Sequence, residues 1–111
     1  MIKFKMHIND EYLNSIKKGT KKFEVRLCHK YRDIICKDDE LILIGNDSHN
    51  EVSVKVLGTK RFQNLDQLVN EVNAADLGME GMTKQQIKDV YLSFYTKEQI
   101  TKYGLVSIKV N

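Results

Sequence analysis

The chain has 111 residues, a formal net charge of +3, 41% hydrophobic and 30% charged residues, and no proline. That length supports one domain, spanning residues 1–111, with a modest core, and the balance of apolar to charged residues excludes a disordered chain. No apolar run approaches the roughly 20 residues of a membrane span, and the opening Met1-Ile2-Lys3-Phe4-Lys5 lacks the apolar region of a secretory leader, so a cytoplasmic protein without a membrane partner is expected.

From Ile2 to Ile8 apolar residues alternate with Lys3, Lys5 and His7, the period of a strand with His7 on its polar side. Asn9 or Asp10 can cap a following helix that carries Tyr12, Leu13 and Ile16 on one side and Lys17 and Lys18 near its end. Gly19 suits the position after the last helical residue, so the helix stops there. Phe23, Val25 and Leu27 then alternate with Lys22, Glu24 and Arg26, which predicts a second strand with one apolar and one charged face. Glu24 and Arg26 lie roughly 7 Å apart at the backbone on that face, within joint reach of one small polar ligand.

Cys28 to Lys37 reads as a polar, basic connection in which Tyr31, Ile34 and Ile35 are the apolar interruptions. Leu41-Ile42-Leu43-Ile44 is a buried strand entered from the acidic turn Asp38-Asp39-Glu40, and 45–50 is a loop rich in turn formers. Val52, Val54 and Val56 alternate again, and this strand can run on through Gly58 to Phe62. Three capping pairs, Asn64 with Gln67, Thr83 with Gln86 and Thr96 with Gln99, predict helices from Leu65 to about Asn73, from Lys84 to about Phe94 and from Lys97 to about Tyr103. Gly104 ends the last one, and Leu105 to Val110 forms a closing strand. The fold class expected is α+β: about five strands in an open barrel, a helix between the first and second, and a helical insertion before the last.

Charge is unevenly spread. Between Lys17 and Lys37 lie eight basic residues against only Glu24 and Asp33, a local balance of +6, which leaves −3 for the remainder. A polyanion is drawn to that region and mildly repelled elsewhere. Two cysteines without C-x-x-C spacing are expected to stay thiols, and three scattered histidines offer no metal spacing. No glycine loop for phosphate is present, so no cofactor is expected.

The segment Gly19-x-Lys21-x-x-Glu24-x-Arg26 resembles the G-x-K-x-x-E-x-R signature of the ASCH domain family, whose fold is PUA-like. The acidic turn into the strand at 39–44, Phe94-Tyr95, and Tyr103-Gly104 before the last strand agree with it. Lys37-Asp38-Asp39 stands where many members have a Gly-Asp turn. The resemblance implies RNA binding; from the residues themselves, a basic cleft in which Lys21, Lys22, Glu24, Arg26 and Arg32 contact an RNA segment or a nucleoside-like small molecule is expected, with Tyr31 stacking on a base. A related bacterial branch looks like an amidohydrolase acting on N4-acetylcytidine, which casts Lys21 and Glu24 as catalytic residues, although that branch has threonine at the position of Glu24. Those enzymes also use a downstream glutamate, for which Asp66, Glu71, Asp76 and Glu80 are the acids available. Two alternatives stay open: a ladder of salt bridges that merely pins the turn, and a protein-interaction module.

Overall fold

Alternation makes β1 (Lys3–Ile8), with Phe4, Met6 and Ile8 buried and Lys3, Lys5 and His7 exposed, in a computed structural model that describes residues 1–111. The Asn9 side chain accepts a hydrogen bond from the Glu11 N–H at 2.9 Å and so starts α1 (Asp10–Lys17), which buries Leu13 and Ile16. Gly19, at φ +81°, breaks the helix in the left-handed conformation. Beyond it the N–H groups of Thr20 and Lys21 both donate to the Ser15 carbonyl, at 3.0 and 3.1 Å, which fixes the turn into β2 (Phe23–Leu27).

A 3-10 turn at Lys30–Asp33 then leads to β3 (Glu40–Gly45), entered through Asp38 at φ +75°, a conformation that suits glycine or aspartate. Asp39 holds this entry together, its carboxylate accepting from the N–H groups of Ile2 and Cys36, each at 3.0 Å. β4 (Glu51–Lys55), β5 (Gly58–Phe62), α2 (Leu65–Glu71), a 3-10 turn at Ala75–Leu77, α3 (Lys84–Phe94), α4 (Lys97–Tyr103) and β6 (Leu105–Lys109) complete the chain. Both Thr83 and Thr96 form reciprocal capping boxes with the glutamines three residues on, and Asn64 caps α2 through the Gln67 N–H.

The strands number six, not the five expected, because the run from Glu51 to Phe62 is two strands. The break falls where Val56 N–H donates to Asp39 O and Leu57 N–H donates to Lys109 O, both at 2.8 Å, so adjacent residues bond to different sheets. The ladders accordingly form two three-stranded sheets, ordered β1-β3-β4 and β2-β6-β5, in place of one continuous barrel wall. In the first, β1 runs parallel to β3 and β3 antiparallel to β4; in the second both pairings are antiparallel.

The second sheet lies between two apolar clusters. Val106, Ile108 and Val110 join Phe4, Met6, Leu41 and Leu43 of the first sheet, whereas Val25, Leu27 and Leu105 on the opposite face join Leu68, Leu77 and Ile87 of the helical segment. Residues opposite one another in an antiparallel ladder share a face. Glu24 is opposite Ile108 and Arg26 opposite Val106. The charged face of β2 therefore looks between the two sheets, not toward open solvent.

Candidate functional site

Each sheet ends in an edge that its own ladder leaves unpaired, β1 in the first and β2 in the second. Between these edges lies a cavity of about 320 Å³, with His7 and Ile8 from β1 on one side and Glu24, Val25 and Arg26 from β2 on the other. Arg26 spans the gap by donating from Nη2 to the His7 carbonyl at 2.8 Å. The opening between the sheets is thus held at a set width by a charged side chain.

Lys21, Glu24 and Arg26 form its floor. Lys21 is 1% exposed and Glu24 6% exposed, values rare for charged side chains unless they are paired. Pairing is what the geometry shows. Arg26 donates to Glu24 Oε2 from Nε at 2.9 Å and from Nη2 at 2.7 Å, and Lys21 Nζ stands 3.5 Å from Glu24 Oε1. Lys21 Nζ also donates to the Leu77 carbonyl at 2.6 Å, at the end of the 3-10 turn Ala75–Leu77. At the backbone, Asn111 Nδ2 donates to the carbonyls of Lys21 and Ile16, at 2.7 and 3.0 Å, tying the signature turn to α1.

Burial pushes the Lys21 ammonium below its ordinary value of 10.5, with Glu24 pulling the other way. For Glu24 burial alone would raise the carboxyl, but the charges and hydrogen bonds of Arg26 and Lys21 outweigh it and hold the group below 4.5. Burial opposes the Arg26 guanidinium as well, yet Glu24 keeps its pKa raised. The floor at neutral pH contains a carboxylate between two cations, with a net charge of +1 while Lys21 is protonated.

The walls are aromatic. Tyr12 from α1 lies with its ring centroid 5.0 Å from Lys21 Nζ, and Tyr91 and Tyr95 face the cavity from α3 and its C-terminal cap. Burial, followed by the nearby Glu24 charge, raises the Tyr91 hydroxyl well above its ordinary value of 10.0. Tyr12 is raised as well, by burial and then by Glu11 and Glu24. Both hydroxyls are accordingly donors at neutral pH. Phe94 is 59% exposed at the rim, where Asn9 and Asn46 add amide groups.

The residues singled out in the sequence divide by place. Lys21, Glu24 and Arg26 converge on the cavity. Lys22 instead donates from Nζ to the Gly19 carbonyl at 2.7 Å. Tyr31 stacks on Phe4 with centroids 5.5 Å apart and donates its hydroxyl to the Lys5 carbonyl at 3.0 Å; Arg32 covers the Tyr31 ring, with Cζ 5.7 Å from its centroid. Neither lines the cavity. Of the downstream acids, Asp66 pairs with Lys88 at 2.9 Å and Glu71 with Lys60, and none of Asp66, Glu71, Asp76 or Glu80 lines the cavity. The tyrosine walls escaped the sequence reading, because Tyr91 and Tyr95 share a helix face with Ile87 and Val90 and read as core. Their one signal is the phenolic oxygen, which asks for a partner that a dry core does not supply.

The ASCH domain family model matches residues 6–111. The chain is similar to the crystal structure of hypothetical protein PH0355, at 29% identity and a TM-score of 0.87, over 97% of this chain and 96% of that one. It also resembles the solution NMR structure of protein PF0455 from Pyrococcus furiosus, at 24% identity and a TM-score of 0.77, over 97% and 94% of the two chains. The ASCH domain from Lactobacillus crispatus JV V101 shares the fold at 14% identity and a TM-score of 0.65, over 98% of this chain and 77% of that one. No curated protein matches the sequence. With the family model covering nearly the whole chain, and the signature residues Lys21, Glu24 and Arg26 gathered in one cavity, this protein belongs to the ASCH domain family.

Proposed function

We propose that the cavity between β1 and β2 binds a single nucleoside-like group, free or displayed by an RNA strand. The observation that carries this reading is the buried Lys21-Glu24-Arg26 floor beneath tyrosine walls. Aromatic walls stack on a planar heterocycle, and fixed donors and acceptors beneath them read its polar edge. A volume of about 320 Å³ sits at the small end of ligand pockets, which favours one nucleoside over a length of polymer. The floor is a poor phosphate clamp, because Glu24 engages both cations. On this reading Lys22, Tyr31 and Arg32, outside the cavity, contact neighbouring parts of an RNA strand.

NMR titration with cytidine, uridine, adenosine and N4-acetylcytidine tests it. Saturable shifts confined to Tyr12, Tyr91, Tyr95 and the signature residues are expected for at least one of them. No shift at millimolar concentration of any of the four removes the reading.

One observation favours a hydrolytic role for the same site. Burial moves Lys21 toward the neutral amine, the form that can accept a proton from water or attack a carbonyl carbon, while Glu24 stays ionised beside it. On N4-acetylcytidine the outcome would be water added across the amide, giving cytidine and acetate. Chromatography of a reaction mixture decides: cytidine formed by the wild type and not by Lys21→Met supports hydrolysis, and its absence from both leaves a binding site only.

A further inference from the structure

The polar groups of the cavity floor stand in an order that a ligand can match. Lys21 Nζ is 3.5 Å from Glu24 Oε1, and Arg26 holds Glu24 Oε2 through Nε and Nη2, so the carboxylate turns one oxygen to each cation. The ion pairs outside the cavity, Lys3 with Glu40, Lys55 with Asp38, Lys60 with Glu71 and Lys88 with Asp66, each have an exposed member. Only the pair of Lys21 and Glu24 is buried on both sides.

Each residue of the floor keeps hydrogen-bonding capacity after its internal bonds are made. Lys21 Nζ gives one N–H to the Leu77 carbonyl and turns one toward Glu24, which leaves one. Arg26 uses Nε and Nη2 on Glu24 and the His7 carbonyl, and Nη1 keeps both its N–H groups. Glu24 Oε2 accepts twice from Arg26, whereas Oε1 faces only Lys21 and retains a lone pair. Along the floor the groups left over therefore run donor, acceptor, donor.

The complement is an edge that runs acceptor, donor, acceptor: a cyclic imide, with a ring N–H between two carbonyls, as on the N3 side of uracil. Cytosine sets an amino donor beside two acceptors, adenine an amino donor beside one acceptor, and guanine a carbonyl beside two donors. Each of these places at least one group against its own kind on the floor, and a buried polar group left unpaired is costly. N4-acetylcytosine keeps the N3 and O2 acceptors of cytosine and shares its mismatch. We infer that the cavity selects a cyclic imide, uracil among the nucleobases, with the ring N–H on Glu24 Oε1 and the two carbonyls on Lys21 and Arg26. This inference rests on the reading of the cavity as a nucleoside site and names the heterocycle it takes.

Isothermal titration calorimetry of the full chain with uridine, 3-methyluridine, cytidine, adenosine and N4-acetylcytidine tests it. Uridine should bind at least about tenfold more tightly than the other four, the discrimination that one unpaired buried group supplies. The comparison with 3-methyluridine is the sharpest, because that ligand keeps both carbonyls and lacks only the central N–H. In Glu24→Gln an amide N–H replaces the free acceptor once Arg26 holds the amide oxygen, and the preference for uridine over 3-methyluridine should vanish. A circular dichroism melt shows whether that variant keeps the fold, and the five ligands on the wild type decide the matter if it does not. Binding of cytidine, adenosine, N4-acetylcytidine or 3-methyluridine as tight as that of uridine overturns the imide assignment and leaves the nucleoside reading standing, whereas no binding of any of the five overturns both.

Discussion

Glu24 is the residue on which the site's charge balance turns. Removing one partner of a buried ionic group leaves an uncompensated charge, which typically costs 3–5 kcal/mol, whereas replacing a whole group by apolar residues can be neutral. Glu24→Ala should accordingly destabilise by several kcal/mol in urea unfolding, because Lys21 is left with only the Leu77 carbonyl. Lys21→Met should be milder, since Glu24 keeps both bonds from Arg26. The same carboxylate contributes to the acid limit. Its pKa is held below 4.5 in the fold, so below 4.5 the unfolded chain binds more protons and stability falls as pH drops through the folded value. Lys21 acts in the opposite range: lowered beneath 10.5, it makes stability rise as pH climbs through its folded value toward 10.5. Denaturation midpoints measured across pH should show both slopes in the wild type, with the acid slope reduced in Glu24→Gln and the alkaline one in Lys21→Met.

Among the elements, the 3-10 turn Ala75–Leu77 and the glycine after it govern where Lys21 ends. Gly78 has φ +76°, and a Cβ built there would stand 3.1 Å from Lys21 Cδ. Gly78→Ala therefore combines backbone strain with a push on the buried lysine, and a loss of about 1–2 kcal/mol is expected, read as a lower Tm. Removing a helix cap acts without touching the site: Thr83→Ala should cost about 1 kcal/mol and leave ligand shifts in the cavity unaltered. Most elements were legible, because alternation at 2–8 and 22–27 and three capping pairs are local signals that the fold obeys. The break between β4 and β5 was not, since the valine alternation continues up to Val56 and what ends it is the long-range bonding of Val56 to Asp39 and Leu57 to Lys109. The trio Lys21, Glu24 and Arg26 was readable from strand spacing, but its burial was not: that requires β1 to stand opposite β2, a relation no local pattern records.

At the scale of the molecule, two apolar clusters of 13 and 12 residues share the second sheet as their common wall. Leu43 in one and Leu68 in the other are both wholly buried, and truncating either to alanine should cost 2–5 kcal/mol. Because β6 has buried residues in both clusters, each variant should still melt in a single transition, with near-UV and far-UV circular dichroism coinciding. Lys21 leaves the chain before the second strand, yet its ammonium hydrogen bonds to Leu77, 56 positions later. A shortened version keeping only the strands and α1 would strip that ammonium of its carbonyl and its roof together, leaving Glu24 as its one polar partner. The helical segment is thus a structural half of the cavity, and any minimal version of this domain must carry it.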